Sequence, residues 1–271
     1  FVYDSFPKHK GFLNFSGTLK FENPTGGFAA LLGTYIDVKD IAGTLVPTLS
    51  KDQTGQTIIG PGLNSISFDF HLFLPSQSNE NQVILQKNAS TRGNRYGLTV
   101  GILSSSASDT TASLIFTANS GSTGLLATTG IEKGSFTRVV ASLDRNESPP
   151  RLKLFKNSIL SATSSNGLVF GSFGISGNSL IIGSGSAILT GSDASAELVA
   201  SRQFIPAQTF SGSLDELRIF HDVPSIKMQS ENQLDSIFSG KNLRAYFKFN
   251  EPTGSYSNND IVLDSSGNSL H

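Results

Sequence analysis

Asp215 sits in Leu214-Asp215-Glu216-Leu217, an acid set among apolar residues of a strand-like run. A carboxylate in such a place needs a partner, because burying a lone charge is costly. Glu216 follows directly. On a regular strand neighbouring side chains point to opposite faces, so these two acids are not expected to act as a pair. A retaining glycosidase needs two carboxylates about 5–5.5 Å apart, and no E-x-D-x-x-E or E-x-D-x-E run occurs. There is no G-x-S-x-G, no phosphate-binding loop and no dinucleotide fingerprint. The absence of Cys removes thiol nucleophiles, thiolate metal sites and disulfides. None of the four His is spaced to share a metal with another, and His71, inside a Phe/Leu-rich run, reads as a structural side chain. The residue types therefore argue against an enzyme.

They allow recognition. Arg92, Asn94, Arg95 and Tyr96 are clustered, and together can hydrogen-bond hydroxyls and stack on a ring. Tyr256, beside Asn258, Asn259 and Asp260, is a second candidate. The 271 residues carry 20 Lys+Arg against 21 Asp+Glu, which gives no electrostatic footprint for nucleic acid or an anionic membrane. No apolar run is long enough for a transmembrane helix. Only 15% of the chain is charged, and its polarity comes from 41 Ser and 20 Thr. With 27 Gly and 10 Pro, that composition favours strands and turns.

The elements that must carry these residues are short strands between turn signals. Ser65–Phe73 alternates with period two, and Gln82–Gln86, Tyr96–Val100, Ala112–Phe116, Thr137–Leu143, Arg151–Lys156, Ser179–Gly183, Leu214–Phe220 and Arg244–Phe249 look alike. So many strands at close spacing predict an all-β antiparallel sandwich. Asn157-Ser158 is a tight-turn candidate. One short helix is expected near residues 230–238, capped by Ser230 with Gln233 three residues on, and stopped at Gly240. Residues 183–195 read as a long loop, and residues 26–60 as a possible insertion. Val2-Tyr3-Asp4-Ser5 is echoed by Val262-Leu263-Asp264-Ser265, and the chain opens on Phe1 rather than Met. One period of a tandem array, cut from a larger protein, would explain both.

Four segments, read in order, resemble the laminin-G-like jelly roll of the concanavalin A-like lectin and glucanase superfamily. Phe210-Ser-Gly-Ser-Leu-Asp-Glu-Leu-Arg-Ile-Phe220 is similar to the family's F-x-G-x-I-D-E-V-R-I-Y strand. Ala245-Tyr-Phe-Lys-Phe-Asn-Glu251, leading to Asp264-Ser-Ser-Gly-Asn268, is similar to the opening of such a module. Ile66–Pro75 with Gln82–Leu85 resembles the early core strands, and Phe136–Ala141 with Leu152–Asn157 resembles W-x-x-V-A…L-x-L-Y-V-N-G. The chain has no Trp, so a sugar platform would rest on Phe or Tyr.

The resemblance implies one β-sandwich over residues 1–243; the strand in residues 244–271 either completes this sandwich by permutation, opens a next repeat (the favoured reading) or pairs with the open edge of a neighbouring subunit. It implies that Asp215, with Asp4 or Asp264 and Asn268, could hold Ca²⁺. The alternative is that Asp215 accepts hydrogen bonds from loop amides. The function implied is a non-catalytic binding or adhesion module, with glycan or cell-surface carbohydrate as partner, in a larger extracellular, cell-surface or virion-surface protein. Two alternatives stand beside it: a structural spacer repeat of a phage, viral or cell-surface filament that touches only neighbouring modules or subunits, and an accessory domain of a secreted glycoside hydrolase.

Overall fold

The computed structural model describes residues 12–15, 35–39, 58–77, 80–88, 96–120, 123–165, 167, 169, 171, 173, 175, 179–190, 195–196, 198–199, 202–231, 242–251 and 261–267. In chain order the strands are β1 (Leu13–Phe15), β2 (Ile36–Val38), β3 (Ile66–Phe73), β4 (Gln82–Asn88), β5 (Tyr96–Leu103), β6 (Thr111–Ser120), β7 (Thr123–Glu132), β8 (Phe136–Asp144), β9 (Arg151–Lys156), β10 (Ile159–Thr163), β11 (Leu180–Ile182), β12 (Leu189–Thr190), β13 (Ser195–Ala196), β14 (Leu198–Val199), β15 (Arg202–Gln203), β16 (Gly212–Phe220) and β17 (Leu243–Phe247). Helix α1 (Ile226–Glu231) lies before β17.

Two antiparallel sheets stack as a sandwich. The first runs β1-β16-β3-β8-β9-β10, and β17 pairs with β16 as well. The second runs β2-β11-β4-β5-β6-β7. The chain meanders from β4 to β7 in one sheet and from β8 to β10 in the other. It then returns β11 to β4 and β16 to β3, and this return closes the jelly roll.

Alternation decides what lies inside. Phe68, Phe70 and Leu72 of β3, Val139 and Ala141 of β8 and Leu154 of β9 face Leu98, Val100 and Ile102 of β5 and Leu114 and Phe116 of β6. The Phe68 and Phe116 rings meet across the layers at 6.2 Å, edge to face. Each of the Val, Leu, Ile and Phe burials contributes about 1.5–3 kcal/mol.

The structure departs from the sequence expectation in several places. Helix α1 begins at Ile226, and Ser225 is its cap: the Met228 amide donates to Ser225 Oγ (3.2 Å). Ser230, expected to be the cap, lies inside the last turn and donates to Lys227 O (2.9 Å). Residues 232–240, including Gln233 and Gly240, lie outside the described residues. Of the readings open for the C-terminal strand, the described pairing is the one within the chain: β17 pairs with β16 from Leu217↔Phe247 to Phe220↔Leu243. Within residues 26–60, Ile36–Val38 forms the edge strand β2, and Ile58 and Ile59 join the core. The stretch read as a long loop contains the two-residue strand β12 and ends on the first residue of its partner β13.

The correction with most bearing on chemistry concerns Glu216. Its φ is +52°, and the β16–β3 register slips between Asp215↔His71 and Arg218↔Asp69. This is a β-bulge, with Glu216 and Leu217 together opposite Phe70. It resets the alternation, so that Leu214 and Leu217 both reach the core. Asp215 and Glu216 therefore share the outer face, where a regular strand would have separated them.

Candidate functional site

Two polar groupings stand out, one on the outer face of each sheet. On the first sheet Asp69 and Arg138, both nearly fully buried, form a forked pair: Arg138 Nε donates to Asp69 Oδ1 (2.8 Å) and Nη2 to Oδ2 (2.6 Å). Arg138 Nη1 also donates to the Gln229 carbonyl of α1. Arg218 lies 4.0 Å from Asp69, donates to Glu216 (2.9 Å) and lies over the Tyr246 ring at 5.1 Å. The Tyr246 hydroxyl donates to Glu216. Burial pushes Tyr246 up to about 12, against the pull of the Arg218 guanidinium and with help from Glu216. Burial works to lower Arg218, but Asp69, Tyr246 and Glu216 outweigh it and raise it. Every charge in this network meets another member, and helix α1 lies over it. The arrangement fastens the helix to the sheet.

The second grouping is an open cleft of about 430 Å³ at one end of the second sheet. It is lined by Ser104, Ser105, Ser106, Asp109, Thr111, Ala112, Ser113 and Gly130. The register explains the shape. Leu103, Ser113 and Gly130 pair in one row across β5, β6 and β7, and the Gly130 position lacks a wall. A Cβ built there would meet nothing within 4 Å, so that side of the cleft is open because the residue is glycine. The β5–β6 connection is held by its own polar groups. The Ser106 amide donates to Asp109 Oδ2 (2.8 Å), the Asp109 amide donates back to Ser106 O (3.1 Å), and Lys133 Nζ donates to Ser106 O (3.3 Å). Lys156 Nζ holds Gly130 O from the other sheet (2.7 Å). Ser105 Oγ is buried and makes no hydrogen bond. The cleft thus offers hydroxyls that both donate and accept, and one carboxylate that accepts. That donor–acceptor mixture suits a polyhydroxylated ligand.

Sequence reasoning missed this cleft. Its signal was the run Ser104-Ser105-Ser106-Ala107-Ser108-Asp109-Thr110-Thr111, which reads as a bland hydroxyl-rich turn. Of the residues singled out for ring stacking, Tyr96 begins β5 and is 38% exposed. It lies at the opposite end of that strand from the cleft, roughly 24 Å away at about 3.4 Å per residue. Arg92, Asn94, Arg95 and Tyr256 lie outside the described residues.

Of the residues proposed to hold calcium, Asp4 and Asn268 lie outside the described residues. Asp215 stands opposite His71 on β16. Asp264 bridges to Phe247 on the far edge of β17, two strand spacings or roughly 10 Å away. Its carboxylate accepts from the Tyr246 amide (2.9 Å), the Ser266 amide (2.9 Å) and Ser266 Oγ (2.8 Å), which pins the Asp-Ser-Ser turn to β17. The structure does not bring the two acids together. Among the described residues no group of three His, Asp or Glu is placed to hold a metal ion.

No protein-family model matches the chain, and no curated protein matches it. Among solved structures it is similar to a Bacteroides ovatus ATCC 8483 protein for which carbohydrate binding has been proposed, at 13% identity and a TM-score of 0.53. That match covers 94% of this chain and 57% of the other, so the chain spans little more than half the length of that protein. Two further similar structures are the heptameric SAP-like pentraxin of Limulus polyphemus (17% identity, TM-score 0.44, covering 64% of this chain and 70% of that one) and the CBM40 module of the Ruminococcus gnavus IT-sialidase bound to α2,3-sialyllactose (15%, 0.41, 62% and 81%). At such identities the likeness is one of fold, a jelly-roll β-sandwich.

Proposed function

We propose that this chain is a non-catalytic carbohydrate-binding module of a larger surface protein, and that the cleft at Ser104–Ser113 and Gly130 is its glycan site. The observation that carries the reading is the lining: five hydroxyl side chains and one carboxylate around an open, glycine-floored space of ligand size. The fold it shares with a protein proposed to bind carbohydrate supports the same reading. Glycoside hydrolysis by paired acids needs a second carboxylate, and Asp109 is the one acid lining this cleft. Membership of the laminin-G-like branch belongs to this proposal too, on the strength of the Phe210–Phe220 strand, as does placement outside the cell or on a virion, on the strength of the hydroxyl-rich composition.

The test is a glycan microarray probed with the purified chain and with Gly130→Phe. The added ring projects into open space, so the variant is expected to melt with the parent and to lose binding at least tenfold. Binding retained by a folded Gly130→Phe would move the site elsewhere. No binding by the parent would favour a spacer repeat. Running the array with calcium and again with chelator decides whether a metal takes part.

A further inference from the structure

We infer that the cleft reads the end of a glycan chain and not an internal stretch of it, an inference that rests on the carbohydrate reading above. The reason is a roof laid over β4, β5 and β6 on the same sheet face. Ile188 and Phe204 pack on Val83 of β4, Leu103 of β5 and Ile115 of β6, and all five side chains are buried to 2% exposure or less. Two glycines let the roof come close. At Gly101 a Cβ would lie 2.9 Å from Phe204 Cζ, and at Gly185 it would lie 2.6 Å from Val83 Cγ1.

Polar ties hold the roof down along both limbs. The Ser186 amide donates to Gln86 Oε1 (2.9 Å), and Gln86 Nε2 donates to Ser186 O (3.1 Å). The Ala207 amide donates to Asn81 O (3.0 Å), and the Ser211 amide to Gln82 Oε1 (2.7 Å). Asn81 joins roof and cleft directly: its Nδ2 donates to Ile205 O (3.3 Å), and its Oδ1 accepts from the amide of Ser104, a cleft residue.

The geometry follows from the register. The row that borders the cleft is Leu103–Ser113–Gly130, and the next row inward is Gly101–Ile115–Thr128. Leu103 and Ile115 are both under the roof. A polysaccharide lying along β5 or β6 would have to occupy the space that Phe204 fills. What stays open is the hairpin end, where the β5–β6 connection faces Ser113 and Gly130. That holds a terminal sugar and part of its neighbour, with the remaining chain projecting into solvent.

The experiment uses the whole chain and oligosaccharides of two to six residues, immobilised through their reducing ends. Pairs differ only in the terminal sugar or only in length. Soluble oligomers and the parent polysaccharides serve as competitors. The expected result is binding set by the terminal sugar and unchanged within twofold from disaccharide to hexasaccharide. Binding that climbs tenfold or more with length at a fixed terminus, or that survives a change of terminus, overturns the end-reading and leaves the carbohydrate reading standing. Absence of binding to any glycan overturns both. Phe204→Ala adds a second readout, with folding checked by circular dichroism. Unlatching the roof is expected to let the hexasaccharide compete several-fold better than the disaccharide, and an unchanged ratio in a folded variant counts against the roof as the limiting wall.

Discussion

Replacing Asp69 by Ala tests the buried network on which helix α1 rests. The substitution removes both bonds of the forked pair, at 2.8 and 2.6 Å, and leaves Arg138 only 2% exposed, with the Gln229 carbonyl of α1 still accepting from its Nη1. Arg218 loses a neighbour at 4.0 Å but keeps Glu216. Breaking a buried pair by removing one partner costs about 3–5 kcal/mol, because a desolvated charge is left behind. At about 2–4 °C per kcal/mol for a chain of this size, the midpoint should fall by roughly 6–20 °C. Urea unfolding followed by circular dichroism gives the free energy, and a thermal melt gives the midpoint. The double variant Asp69→Ala/Arg138→Met removes the stranded charge and is expected to recover part of the loss, since the energy belongs to the pair. A loss below about 1 kcal/mol for Asp69→Ala, the range of exposed ion pairs, would refute the burial argument.

Tyr246 sets an alkaline limit. Its folded pKa of about 12 lies above the ordinary 10, so its contribution is fully present below pH 10 and lost as pH rises from 10 through 12. The loss amounts to about 2–3 kcal/mol, readable as a falling midpoint over that window, and Tyr246→Phe should flatten it; a parent midpoint unchanged across the window would contradict the buried phenol. Ser158→Gly should stabilise by up to about 1 kcal/mol, because Asn157 and Ser158 both take positive φ (47° and 66°) in the β9–β10 turn and Ser158 Oγ makes no hydrogen bond. A lower melting point for that variant would show that the turn is not limiting.

The sandwich was legible in the sequence because period-two alternation survives where one face is buried. Ile66–Phe73 and Phe136–Asp144 show it cleanly, and both form where expected. The Asn157-Ser158 turn was legible for the same local reason. Strand β7 was not: in Thr123–Glu132 the inward residues are Leu125, Ala127 and Ile131, set among threonines and two glycines, and the pattern dissolves. The bulge at Glu216 was also hidden. An extra residue there changes which face each acid meets, and nothing in Leu-Asp-Glu-Leu announces it. The helix cap slipped by five residues because Ser225 and Ser230 are both good caps, and the capping-box pattern pointed to the wrong one. The cleft was the least legible part. It is made by register across three strands and by a side chain missing at Gly130, and neither property is written in any one segment.

The most direct measurement is the amide chemical-shift map of the isotopically labelled chain, titrated with the tightest-binding glycan from the array. The account expects the largest shifts at Ser104–Ser106, Asp109, Ser113 and Gly130, with Tyr96 and the Asp69–Arg138 network unmoved. Shifts centred on Tyr96, or spread along the strands beneath Phe204, would contradict it.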